Sequence, residues 1–168
     1  MILNNARQIF AGQTAGSQRT LTSLGGNNLT TWPFTGSDTW KMWASMCGWS
    51  NVYHNFDAGS SYLEVGFGDT AVTAADYDLA DSNLSNPKLT CVASGKNSPN
   101  GTDLINTYAN FRNDGSSNVV VKEIGVVGVF NSQSSINAAA LMYRKVLDTP
   151  VTIAPGETYN FNYKIRIR

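Results

Sequence analysis

Few residues in this chain have the types and spacing that chemistry requires. His54 is the single histidine, so any Ser-His-Asp or Cys-His centre must use it. Its neighbours Tyr53, Asn55, Phe56 and Asp57 form no nucleophile motif, and His54 reads as a surface or loop residue. The glutamates are Glu64, Glu123 and Glu157. Glycoside hydrolysis needs two carboxyls flanking one bond, and spacing alone does not bring these together with each other or with an aspartate. Asp76, Asp78 and Asp81 begin like a calcium loop. Ala80 then fills the fifth position, Asp81 stands where the turn glycine belongs, and no glutamate closes the loop. Cap and turn roles suit these aspartates better. Gly66-Phe67-Gly68 lacks the third glycine and long helix of a dinucleotide site and reads as a turn. Cys47 and Cys91 are too far apart for metal-ligand spacing and read as two buried free thiols. No catalytic residue, metal site or cofactor is expected.

Two other constellations concern binding. All four tryptophans lie between Trp32 and Trp49, in a cluster with Phe34, Tyr53 and Phe56. Core filling is the favoured reading, because large aromatics dominate buried area in small domains. The alternative is a carbohydrate-binding β-sandwich module that uses the Trp/Tyr cluster 32–53. Lys164, Arg166 and Arg168 share the outward face of the terminal strand. They either guard an edge against strand pairing or form a basic stripe for an acidic partner.

Composition narrows the classes. The 168 residues suit one domain with a real core, and 12 basic residues balance 12 acidic ones. Nucleic-acid binding through phosphates would call for a basic excess. No run approaches the roughly 18 apolar residues of a membrane span, and Met1-Ile2-Leu3-Asn4 opens no signal peptide. Neither nucleic acid nor membrane is an expected partner. Only 14% of residues are charged; the polar content is Asn, Ser, Thr and Gly, residues of turns and solvated strands.

The elements that would position these residues are mostly strands. Val119, Val120, Val121, Ile124, Val126, Val127, Val129 and Phe130 make a run suited to a pleated surface. With the Asp114-Gly115 turn before it, the stretch Thr102–Phe130 predicts a central hairpin. Gly125 and Gly128 within it suggest close sheet packing or a bulge. Strands are also predicted at 40–46, Ser61–Val65, Leu89–Ala93 and Ala138–Leu147. After Pro155-Gly156, Tyr159, Phe161, Tyr163, Ile165 and Ile167 alternate with polar residues, the period of a half-buried strand. Thr73-Ala74-Ala75-Asp76 has the form of a capping box and predicts one or two helical turns through Leu79.

Residues 1–35 form a glycine-rich arm, with Ile2–Phe10 a short strand or docked segment, and 36–168 form the domain. The prediction is an all-β antiparallel sandwich or jelly roll of about eight strands with one short helical segment. Ile2, Leu3, Arg7 and Phe10 of the arm, with Lys164, Arg166 and Arg168, are the candidate assembly contacts.

Three segments carry a family resemblance. Tyr62–Leu79, with its strand, Gly66-x-Gly68 turn and Thr73-Ala-x-Asp76-x-x-Leu79, resembles a module of small virion proteins of tailed bacteriophages. Phe111-x-Asn113 followed by Val121-Lys122-Glu123-Ile124-Gly125-Val126 is similar to a hairpin of such proteins. Leu141–Val146 with Val151–Glu157 is similar to their closing hairpin. The resemblance covers roughly residues 60–168. It implies a β-sandwich structural protein of the virion without enzymatic activity, made in the host cytoplasm. It further implies a symmetric homo-oligomer or docking on other virion proteins of capsid or tail.

Overall fold

The valine-rich run forms one of the long strands of a two-sheet sandwich. The computed structural model describes residues 3–15, 19–30, 61–82, 84, 88–96, 103–130 and 138–166. In chain order these form α1 (Asn4–Ala15), β1 (Thr20–Thr22), β2 (Asn28–Thr30), β3 (Ser61–Gly66), β4 (Leu89–Lys96), β5 (Asp103–Asn113), β6 (Val119–Phe130), β7 (Ala138–Ile153) and β8 (Thr158–Arg166). One sheet has the order β3-β6-β7 and the other β4-β5-β8, with β1-β2 a separate small ladder. Every pairing is antiparallel. The fold class is the expected all-β sandwich.

The expected central hairpin does not exist. β5 pairs with β4 and β8, and β6 pairs with β3 and β7, so the turn at 114–118 crosses from one sheet to the other. The cause is local. Asn113, fully buried, donates through Nδ2 to Ser117 O (2.8 Å) and Ile153 O (2.9 Å), while its Oδ1 accepts from Gly115 N (2.9 Å). Asp114 N is drawn to Lys88 O at 2.9 Å. These bonds bend the chain out of the plane of β5, and a crossing rather than a tight reversal follows. The expected closing hairpin is likewise a crossing. β7 runs on to Ile153, and Pro155-Gly156, with Gly156 at φ 78°, hands the chain to β8 in the opposite sheet.

Alternation then builds the core. Leu63 and Val65 of β3, Ile124 and Val126 of β6 and Tyr143 of β7 meet Ala109 and Phe111 of β5 and Phe161 and Tyr163 of β8. The Phe111 and Phe161 rings pack edge-on at 6.1 Å, and Tyr143 and Tyr163 lie 6.3 Å apart. Asn160, Asn162 and Lys164 face out, as the period of two predicts. Tyr159 shares the parity of Phe161 but is exposed.

Two irregularities set which side chains leave the core. Between Val121 and Glu123 the register shifts, so residues 147–150 of β7 stand opposite Lys122 alone. Val119 and Val121 point inward before the shift and Ile124 and Val126 after it, which turns Glu123, Gly125 and Val127 to the outer face. On β7, Met142 and Tyr143 both join the core, and Leu141 and Arg144 face outward.

That outer face is covered. Residues 67–81, a strap between β3 and the next turn, lie on it through Leu79, which packs with Leu3, Val127 and Leu141. The strap is not the expected helix. Thr73 does donate twice to the Asp76 carboxylate, from Oγ1 to Oδ1 at 2.6 Å and from N to Oδ2 at 3.1 Å. Beyond one turn at 74–75 the segment is irregular, with Asp76 also held by Arg144 and Leu79 packed on the sheet.

Of the two expectations for Ile2–Phe10, a short strand or a docked segment, the strand is replaced by a helix, Asn4–Ala15, and that helix is docked on β7. Ala, Arg and Gln favour it intrinsically, and tertiary bonds fix it. Leu3 N donates to Met142 O (3.1 Å), and Asn5, buried, donates to Leu141 O (3.1 Å) and Thr22 O (2.8 Å) while accepting from Thr22 N (2.8 Å). With Leu24 N on Ala139 O at 3.2 Å, the N-terminal segment satisfies carbonyls of β7 that would otherwise be unpaired at a sheet edge.

Candidate functional site

Under the strap, the outer face of the β3-β6-β7 sheet holds the most interconnected polar group of the described residues. Arg144 projects from β7 with its side chain 3% exposed. Its Nε donates to Glu123 Oε2 at 2.7 Å and its Nη1 to Asp76 Oδ2 at 2.5 Å; Glu123 is 0% exposed and Asp76 16%. Nη2 reaches Thr70 O (3.2 Å) and Thr70 Oγ1 (3.1 Å). The second oxygen of Glu123 accepts from Asp81 N at 3.1 Å. One guanidinium therefore ties β6 and β7 to both halves of the strap, with planar, charge-assisted bonds that a lysine could not reproduce.

The glycines of the neighbouring segments make room for it. A Cβ on Gly66 would sit 2.7 Å from Glu123 Oε1, and one on Gly68 2.9 Å from the same atom. The Gly66-x-Gly68 turn thus clears the Glu123 carboxylate. Burial alone would push the Asp76 carboxyl up. Hydrogen bonds from Thr73 and Arg144 outweigh it and hold the group below the usual aspartate range. Burial works against the Arg144 charge too, and its bonds to Asp76 and Glu123 raise its pKa nonetheless. The arrangement acts as a clamp.

A second polar group lies one row along. Glu64 is opposite Gly125, whose other cross-strand neighbour is Arg144. Burial pushes the Glu64 carboxyl up to about 7, against a hydrogen bond from Tyr62 and with help from the Asp78 charge. The Tyr62 phenol is raised by burial and by Glu64, and Asp78 by burial and by Glu123. Perturbed groups of this kind mark candidate functional positions. Of these groups Glu64 is the one whose carboxyl is brought near neutrality.

The sequence-predicted residues fall in several places. Leu3 is fully buried among Leu79, Val127 and Leu141 of its own chain, so its side chain is committed to the subunit interior instead of an assembly surface. Arg7 on α1 and Lys164 on β8 are exposed and lie on different elements. Ile2 and Arg168 lie outside the described residues, as do the side chains of Phe10 and Arg166. His54, Cys47 and the whole Trp/Tyr cluster 32–53 also lie outside them. Cys91 is a free thiol but exposed rather than buried: the register shift between Cys91 and Ala93 turns it outward, with Sγ 3.5 Å from Ala93 O. Asp76 and Asp78 serve turns and the clamp, and among the described residues no group of three or more His, Cys, Asp or Glu could hold a metal ion. No described helix is long and apolar enough to cross a membrane.

Sequence reasoning missed the clamp itself. Glu123 inside a valine run and Arg144 inside an apolar stretch are the signal, since a charge in a strand interior needs a partner. Comparison with protein-family models, with characterised proteins and with solved structures returns no match.

Proposed function

We propose that this chain is a structural protein of a tailed-bacteriophage virion, made in the host cytoplasm and assembling with copies of itself or docking on other capsid or tail proteins. The observation that carries the reading is convergence. The separate segments that resemble such proteins meet at two joints. Gly66, Gly68, Asp76, Glu123, Gly125 and Arg144 gather at the clamp. Asn113 and the 153–157 segment gather at the sandwich corner, where Asn113 N donates to Glu157 O at 3.0 Å and Gly156 N to Asn113 O at 2.8 Å. Motif residues spent on joints support an architectural role in preference to catalysis. Arg7 and Lys164 remain on the surface as candidate assembly contacts. The test is mass spectrometry of purified particles: the chain should be present in fixed stoichiometry, and its absence from particles would end this reading.

A further inference from the structure

Glu64 occupies an unusual position in the covered face. Its Oε2 is buried and has no hydrogen-bond partner among the described residues. The nearest source of positive charge along the row is Arg144, two strands away. That guanidinium already serves Glu123, Asp76 and Thr70. Between the two, the space above Gly125 is filled by Leu79 Cδ2 and Leu141 Cδ1, 2.9 and 2.7 Å from where a Cβ would stand. Hydrocarbon therefore occupies the gap across which an ion pair would have to form.

We propose that Glu64 is a proton-operated latch for the strap. Carrying its proton, Glu64 lies under the Asp78–Leu79 span of the strap at no electrostatic cost. Ionised, it faces the Asp78 carboxylate with no counter-ion among the described residues, and the Asp78–Leu79 span lifts between its Asp76 and Asp81 anchors, uncovering Leu3, Val127 and Leu141.

Among the described residues the surrounding charges leave no other outlet. From β3 Glu64 meets the Tyr62 hydroxyl, and from the strap Asp78. Glu123 of β6 acts on Asp78 in the same repulsive sense. Asp76, farther back on the strap, is held by Arg144 of β7, and Arg7 of α1 is exposed. Arg144 holds the strap at Thr70 and Asp76 and Glu123 holds it at Asp81, so the span between these anchors, residues 77–80, is the part that moves. Hinge and latch are thus separate residues of one segment.

The direction of the effect follows from linkage. A carboxyl whose pKa is raised from 4.5 to about 7 in the closed form favours closure fully below 4.5 and loses that contribution as pH rises through about 7. Opening of the strap should grow by up to about tenfold per pH unit across this window and level off above it. This inference stands apart from the virion reading, and its readout is strap opening instead of particle attachment, so each can fail alone.

The experiment is hydrogen–deuterium exchange of the full chain across and beyond this window, corrected for intrinsic exchange rates. Amides of residues 77–80 should lose protection as pH rises and then plateau, with those of β6 unchanged. Glu64→Gln should abolish the slope. Asp78→Asn should keep it but draw its upper limit toward 4.5, an effect that mere loosening would not give. Carbon-13 titration of Glu64 in the unaltered protein supplies a readout independent of any variant. A Glu64 midpoint near 4.5, a flat strap profile in the unaltered chain, or an unchanged slope in Glu64→Gln would each overturn the proposal.

Discussion

Glu123 and Arg144 form a 2.7 Å ion pair on the outer face of the β3-β6-β7 sheet, with both side chains shut off from water by the strap. Removing one partner strands the other charge, which costs about 3–5 kcal/mol in buried pairs. Glu123→Ala or Arg144→Ala should each lower stability by that order in urea denaturation. The double variant Glu123→Leu/Arg144→Met should lose less than the two single losses added, because neither member of the fully buried pair is stranded, while Asp76, 16% exposed, still loses its Arg144 partner.

Gly125 tests space instead of charge. A Cβ there would stand 2.7 Å from Leu141 Cδ1, 2.9 Å from Leu79 Cδ2 and 3.3 Å from Tyr143 O. Gly125→Ala should cost about 1–3 kcal/mol through overpacking. At Gly156 nothing lies within 4 Å of an added Cβ, but φ is 78°, so Gly156→Ala should cost only about 1–2 kcal/mol of backbone strain. Leu79→Ala added to Gly125→Ala should recover part of the loss; added to Gly156→Ala it should recover none. Thermal melts of the four variants decide this.

Asn113 is the corner fastening. Asn113→Ala leaves Ser117 O, Ile153 O and Gly115 N without their side-chain partners, and a loss of about 2–4 kcal/mol is expected from three net hydrogen bonds. Asn113→Asp should be worse at neutral pH, since a carboxylate oxygen would then face two carbonyls. Its stability should partly return on acidification, when the protonated acid can donate once. A denaturation series against pH reads the difference.

Stability against pH should be bounded on both sides. Asp76 is held below its ordinary 3.8, so its contribution is full above that value and is lost as pH falls through its lowered folded value. Glu64 acts in the opposite sense and loses its contribution as pH rises through about 7. The optimum should lie near 3.8 to 4.5, with stability falling from there to about 7 as Glu64 ionises, and Asp76→Asn should flatten the acid limb alone. Asp69 and Asp114 are also lowered by Lys122 and Arg112, but these exposed pairs contribute little. Melting temperatures across pH check the shape.

Strand identity was legible wherever a local pattern carries it. The alternation through Phe161 and Tyr163 and the valine run of β6 are properties of neighbouring residues, and both form strands. Partnership was not legible. Nothing between Phe111 and Val119 distinguishes a reversal within one sheet from a crossing between two, because the deciding bonds from Asn113 end on Ser117 and on distant Ile153. The N-terminal helix was hidden for a similar reason: its apolar positions show no clean period, and it is fixed by Asn5 on Leu141 and Thr22. At the clamp, Asp76 was read as a cap, and its bond to Thr73 is present. Its other commitment, to Arg144, spans a sequence separation that no local motif records.

The two crossings also constrain the order in which this chain can become folded. β3 has no described ladder partner until Val119–Phe130 is made, and β5 lacks one of its two neighbours until Thr158–Arg166 is made. A nascent chain therefore holds both sheets incomplete together, with open edges exposed over most of its synthesis. Closure should be late, concerted and slow for its size. Truncation anywhere within β8 should be as damaging to β5 as the loss of β4.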